Sequence, residues 1–374
     1  MTADPVSAPL DPDSLHTAAT ARTGLHDFGP STGYRDALQR LTHALETEAQ
    51  LTGQGRTEAH RTLVSALTTR LRLRAAPPSP PLPPEPVFII GLPRTGSTLL
   101  HALLDCHPAL HAVRLWELMH PLSPPGIPDQ ELVAATRRHV TAHFAAAPAL
   151  LRIHPTDAQS PEECEYLMTT DFRNAVLGLI SYRVPGYTDW LLDQDLTGAY
   201  RVHREQLRHI LARRPAAPGA RLLLKSPSHL WHLPSLAAVH PHARFVVLHR
   251  DLAQATASAA SLALHARRKR SDHADPHEIG RQLARAAGLG ADRLAEFTAR
   301  PPGSTASVHI DFDDLTADPE QAVCRVFRFL GLPVTEAVRE RCRRHLEQHP
   351  REAHHYTGRD FGLAADGPTD PGPR

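Results

Sequence analysis

Residues 91–98 read Gly-Leu-Pro-Arg-Thr-Gly-Ser-Thr and follow an apolar, β-prone run, Val87-Phe88-Ile89-Ile90. Ser97, Thr98, Leu99 and Leu100 then open a helix. Strand, glycine-bounded turn and helix N-terminus together hold phosphate. Backbone N–H groups and the positive end of the helix dipole converge there on one anion. The spacing is not GxxxxGK[ST], because Ser97 stands where that motif has lysine. Nor is it a dinucleotide fingerprint, since GLPRTG lacks the middle glycine of GxGxxG. The cation of this loop is Arg94.

Two further strand-like runs end in basic residues. Leu222-Leu223-Leu224 leads into Lys225-Ser226-Pro227, and Arg244-Phe245-Val246-Val247-Leu248 leads into His249-Arg250-Asp251. Ligands of open parallel sheets bind outside the carboxyl ends of the strands, so both cations fall on the phosphate side. The fork of Arg250 can meet a phosphate with two parallel N–H groups. Ser258, two turns into the following helix, would add a hydroxyl from the same side.

GLPRTGSTLLHALLDCHP closely resembles the 5′-phosphosulfate loop of sulfotransferases, in the version of bacterial and tyrosylprotein-type enzymes. The resemblance implies 3′-phosphoadenosine 5′-phosphosulfate (PAPS) as sulfonate donor. Arg94, Thr95, Gly96, Ser97 and Thr98 would then bind the cofactor through its 5′-phosphate. Arg250 and Ser258 match the family's 3′-phosphate site, and that phosphate is what separates PAPS from ATP. Lys225 matches the lysine of a KSP or KDP tripeptide that meets the sulfonate. By the same resemblance the reaction needs no metal, because Arg94 and Lys225 supply the positive charge. The acceptor would be a hydroxyl on a small molecule or lipid.

The general base is open between two residues. In tyrosylprotein and heparan-type relatives, a glutamate beyond the HP of the first helix takes the acceptor's proton; here Glu117 follows His107-Pro108. Cytosolic small-molecule relatives use a histidine near the end of the strand that here carries Lys225, which points to His229. Glu117 is the preferred choice and completes an expected catalytic set of Arg94, Glu117 and Lys225. His101, one turn beyond Thr98, is expected to pack against the sheet.

Other segments extend the likeness, which runs from about residue 24 to 363. Residues 308–315 resemble the family's last strand and YEDL-like motif, with Phe312 in place of the usual Tyr. A hydroxyl contact to the nucleotide would be lost there. Residues 329–332 fit its FLGLP segment, and residues 355–362 match a closing segment that serves either as a cofactor lid or as a strap packed on the helices.

The elements that must position these residues form an α/β unit: a P-loop-like three-layer sandwich with a central parallel sheet and an N-terminal helical appendage. Residues 1–33 are expected to be largely disordered, although Gly24-Leu25-His26-Asp27-Phe28-Gly29 could dock on the body. Residues 34–76 read as a helical hairpin broken at Gly53 and Gly55, and residues 77–86 as a proline-rich spacer. The α/β domain spans 87–346, and 347–374 form a strap and disordered tail. Ser160-Pro161-Glu162-Glu163 reads as a helix start with a capping-box glutamate. Residues 129–147 and 198–213 also read as helices, and they lie where the resemblance implies the acceptor pocket. Arg267-Arg268-Lys269-Arg270 reads first as a solvated helix C-terminus, and second as a guide for an anionic acceptor.

Composition agrees. The 374 residues can bury a large core. A net charge of +1 offers no global attraction for nucleic acid or anionic membrane. Four scattered cysteines suit free thiols in a reducing cytoplasm. No apolar run approaches a membrane span, and the acidic, proline-rich start is unlike a signal peptide. Oligomeric state is not written in these features. Two other classes compete: a P-loop kinase or NTPase, and a non-catalytic nucleotide-binding protein. The missing lysine at Ser97, and the absence of a terminal Asp after Val247-Leu248, count against the first.

Overall fold

Five short strands make the central sheet: β1 (Val87–Gly91), β2 (Leu110–Ala112), β3 (Arg221–Lys225), β4 (Arg244–His249) and β5 (Ala306–Asp311). In this computed structural model, which describes residues 9–30, 33–124, 126–349 and 356–363, the strands are parallel in the order β2-β3-β1-β4-β5. Successive side chains alternate between two cores. Phe88, Ile90, Leu222, Leu224, Phe245 and Val247 pack on one face, and Val87, Ile89, Leu223, Val246 and Leu248 on the other. With both faces covered by helices, the inner strands β1, β3 and β4 are apolar on both sides, as buried parallel strands require, while the edge strands β2 and β5 carry His111, Ser307 and His309. The chain is therefore an α/β protein around a central parallel sheet.

This strand order positions the chemistry. β3, β1 and β4 are neighbours, with Ile89 opposite Lys225 and Gly91 opposite Leu248. The carboxyl end of each strand thus delivers Lys225, the 91–98 loop and Arg250 to one rim.

The N-terminal segment differs from expectation. Residues read as disordered include a helix, Pro12–Thr23, whose Asp11 cap accepts N–H bonds from Asp13 and Ser14. Its Leu15 and Ala19 are buried against the rest of the appendage. Two more helices follow, Tyr34–Thr47 and Gly53–Ala75. Gly53 and Gly55 do not break the second of these but begin it, with Thr52 capping the Gly55 N–H at 2.9 Å. A Cβ on Gly55 would collide with the carbonyl of Arg270, so glycine permits a close approach here. The docking segment is held by Arg70, which donates to the Phe28 carbonyl at 2.8 Å and pairs with Asp171 at 2.9 Å.

The basic cluster is likewise not a solvated helix end. Only Arg268 of the four is exposed. Arg267 is 1% exposed and donates to the carbonyls of Gly178 and Leu179, while Lys269 and Arg270 converge on Glu58 from the appendage. Both readings of this cluster give way to a clamp that ties the N-terminal helices to the sheet domain. Glu58→Ala would strand two largely buried cations. It should destabilise the fold by about 3–5 kcal/mol, measured by denaturant unfolding. An unchanged midpoint would mean that the clamp contributes nothing.

Candidate active site

The loop after β1 is shaped by two left-handed residues, Arg94 (φ 71°) and Gly96 (φ 85°). Gly96 caps the Ser97–Asp105 helix. A Cβ there would lie 3.0 Å from Leu315 and 3.2 Å from Phe312, so the loop rests on the Phe312–Ala317 helix beyond β5. Leu100 N–H takes the Gly96 carbonyl at 3.0 Å as the first helical bond. The N–H groups of Ser97, Thr98 and Leu99 precede that bond and so have no acceptor within the helix, which suits them to an anion. Thr95, nearly wholly buried, stiffens the turn by donating its hydroxyl to the Leu92 carbonyl at 2.9 Å.

On one flank the loop meets the segment after β4. Arg94 Nε donates to Ser258 Oγ at 3.3 Å, and Arg250 Nη1 donates to the Arg94 carbonyl at 2.8 Å. The Arg250 guanidinium lies 3.9 Å over the Phe312 ring, and its Nη2 is 3.5 Å from the Tyr356 hydroxyl. Its Nε is buried with no acceptor among the described residues, a donor suited to a phosphate oxygen. Phe312 is thus a platform for Arg250. The closing segment reaches the same guanidinium through Tyr356, and Phe361 is buried against the Pro276–Ala299 helix. His355 of that segment lies outside the described residues.

On the other flank stands Lys225, wholly buried at the end of β3. Its Nζ is 2.7 Å from Glu163, 3.6 Å from Glu162 and 3.5 Å from Thr98 Oγ1. Burial alone would depress this ammonium's pKa, but the Glu163 and Glu162 charges outweigh it and hold the group above its ordinary value. Glu162 in turn accepts from His154 at 3.2 Å. Burial would raise its carboxyl, yet the His154 and Lys225 charges hold it well below the usual carboxylate range.

Sequence reasoning missed this carboxylate pair by reading it as a helix cap. Residue 161 instead bridges to Arg114, Glu162 N–H donates to the Val113 carbonyl, and Cys164 N–H donates to the Lys225 carbonyl. The helix begins only at Glu165. The sheet rim has claimed these backbone groups, and both glutamate side chains reach Lys225, Glu163 at 2.7 Å and Glu162 at 3.6 Å. Two adjacent carboxylates upstream of a KSP lysine were the available signal.

Glu117 occupies a different environment. It is wholly buried in the Leu115–Met119 helix, with Arg214 gripping both oxygens at 2.6 and 2.7 Å and the Arg114 N–H donating to one at 2.8 Å. Its lone pairs are committed to closing that helix onto Arg214. His229 is also wholly buried, with Nδ1 2.9 Å from the Tyr200 hydroxyl and its ring edge-on to Phe88. Desolvation first, then His240 and His232, pushes its pKa down to about 3. His101 is buried beside Lys225 and kept neutral in the same way, again to about 3.

Residues 86–336 match the model of the sulfotransferase family. The chain belongs to that family. Its fold is similar to that of sulfotransferase STF1 from Mycobacterium tuberculosis H37Rv, at TM-score 0.80 and 30% identity over 96% of each chain. It is also similar to sulfotransferase STF9 from Mycobacterium avium, at TM-score 0.80 and 25% identity over 95% of this chain and 93% of that one. No curated protein gives a match. The matched span takes in the loop, Glu163, Lys225, Arg250 and Ser258 of this sulfotransferase. No helix among the described residues is long and apolar enough to cross a membrane.

Proposed function

We propose that this sulfotransferase moves a sulfonate from PAPS to the hydroxyl of a small-molecule or lipid acceptor. The observation that carries this reading is the convergence of Arg94, Ser258 and Arg250 on one flank of a phosphate loop, with Lys225 on the other. A nucleotide with one phosphate in the loop and a second against Arg250 and Ser258 fits that layout. The sulfonate would then lie toward Lys225. Residues 95–98 would hold the 5′-phosphate through backbone N–H groups and hydroxyls.

In the reaction the acceptor oxygen bonds to sulfur as the bond from sulfur to the 5′-phosphate oxygen breaks. Adenosine 3′,5′-bisphosphate leaves with the electron pair. Lys225 and Arg94 stabilise the charge that develops on sulfonate and phosphate. The acceptor's proton goes to a carboxylate, and we assign that role to Glu163 in place of Glu117. Glu163 is the partly exposed partner of Lys225, whereas both Glu117 oxygens are taken by Arg214. As Lys225 turns to the sulfonate, the Glu163 carboxylate is released toward the acceptor. Four free cysteines support a reducing, cytoplasmic setting.

Family membership sets aside the kinase and NTPase reading. The non-catalytic reading is separated by turnover. Sulfur-35-labelled PAPS offered with panels of phenols, sterols, sugars and lipid hydroxyls should give a labelled ester and adenosine 3′,5′-bisphosphate. Bisphosphate binding with no transfer to any class would favour a protein that holds the nucleotide without using it.

A further inference from the structure

Cys164, His203 and His229 form a second group of chemically capable side chains, buried in the core. They come from the turn before the Glu165–Met168 helix, from the Thr197–Arg213 helix and from the Pro227–His232 turn after β3. Their ligand atoms all lie within 4.8 Å of one another, and none of the three residues is more than 1% exposed. Among the described residues, neither ring nitrogen of His203 has a hydrogen-bond partner, and Nε2 of His229 has none. Buried polar atoms are nearly always partnered, so three such nitrogens around one thiol ask for a ligand.

The donor set names its chemistry. One thiolate and two neutral imidazoles suit Zn²⁺, a borderline-soft ion that takes sulfur and nitrogen donors in tetrahedral geometry. His229 also has the orienting contact that metal-bound histidines use. The Tyr200 hydroxyl lies 2.9 Å from Nδ1, and in the tautomer where Nδ1–H donates to it the Nε2 lone pair is left for a metal. Glu165 is buried next in sequence and keeps one oxygen without a partner among the described residues. The Cys164 thiolate would offset part of a dication's charge.

We propose that Cys164, His203 and His229 bind a structural zinc ion in the core of this enzyme. Binding replaces the Cys164 S–H proton, which leaves to solvent as the Zn–S bond forms, so the metal enters as the chain folds. Complete burial makes the site closed to substrate. Its consequence is mechanical. Cys164 directly follows Glu163 and donates its N–H to the Lys225 carbonyl at 2.9 Å, while His229 lies four residues beyond Lys225. The metal would pin together the two segments that carry the Lys225–Glu163 pair. The ligand assignment itself does not depend on the sulfonate reading.

The test is the zinc content of the full-length protein, expressed with added zinc, dialysed natively against a weak chelator and measured by plasma mass spectrometry. About one zinc per chain is expected. Protein refolded from guanidinium with Zn²⁺ should melt at a higher temperature than protein refolded with EDTA. Refolding with Co²⁺ should give tetrahedral d–d absorption and a thiolate-to-cobalt charge-transfer band, the latter lost in Cys164→Ser. Natively purified protein with well below one zinc per chain would overturn the proposal, whatever the variants do. Full zinc retention in folded Cys164→Ser and His203→Ala would overturn the assignment of ligands.

Discussion

Glu163→Gln is expected to lower turnover by about 10²–10⁴ at saturating PAPS, the range a positioned base contributes, while affinity for adenosine 3′,5′-bisphosphate holds. The amide keeps the shape but cannot take the acceptor's proton. Lys225 would also lose its 2.7 Å charged partner, which adds to the catalytic loss without removing the loop's phosphate donors. Glu117→Gln should behave differently. It weakens a two-point ion pair with Arg214 and so should lower thermal stability, leaving turnover per folded molecule within a few-fold. Single-turnover rates with PAPS and calorimetric titration with the bisphosphate, run on both variants, separate the cases. An active Glu163→Gln beside an inactive, normally folded Glu117→Gln would return the base role to Glu117.

Acidification should unfold the protein well before its carboxylates are exhausted. His101 and His232 are buried as neutral imidazoles, with pKa values pushed down to about 3 chiefly by desolvation and then by the Lys225 and Arg293 charges respectively. In the unfolded chain each takes a proton as the pH falls through about 6.5. The folded state accepts none until near pH 3. The stability they contribute is therefore fully present above pH 6.5 and is lost below it, each by about 1.4 kcal/mol per pH unit. His111, His120 and His143, lowered to about 4, add smaller losses of the same sign. Glu165 opposes them: burial pushes its carboxyl up to about 7, so it gains stability as the pH drops from 7 toward 4.5. The histidines outnumber it. Against a typical stability of about 5–15 kcal/mol, cooperative unfolding should be complete by about pH 4. Guanidinium midpoints that stay level from pH 7 to 4.5 would refute this.

What the sequence made legible follows from how locally each feature is encoded. β1, β3 and β4 are short apolar runs bounded by charged residues and glycine or proline, and their termini name Lys225 and Arg250 directly. The 91–98 loop encodes its own geometry through Gly96 and the helix start behind it. The carboxylates were harder. Glu163 sits in a segment whose local signals favour a helix cap, and only the β3 rim, some sixty residues on, draws it into an extended path. Glu117 looked free because the residue that claims it, Arg214, is nearly a hundred positions away. The same distance hid the clamp of Glu58 on Lys269 and Arg270. The Pro12–Thr23 helix escaped because it has almost no amphipathic stripe, although Asp11-Pro12 was a legible start. Local patterns gave the strands and the phosphate loop; long-range ion pairs decided which charged residues remained available for chemistry.

If the proposed function is right, a nucleotide with both a 5′- and a 3′-phosphate occupies the rim formed by the loop, Arg250 and Ser258. Isothermal titration of the wild type and Arg250→Ala with adenosine 3′,5′-bisphosphate and with ADP tests it most directly. The wild type should bind the bisphosphate far more tightly than ADP. Arg250→Ala should cost about 2–5 kcal/mol of that binding, as truncating one partner of a charge pair does, and erase the preference. Equal wild-type affinities for the bisphosphate and ADP would contradict it.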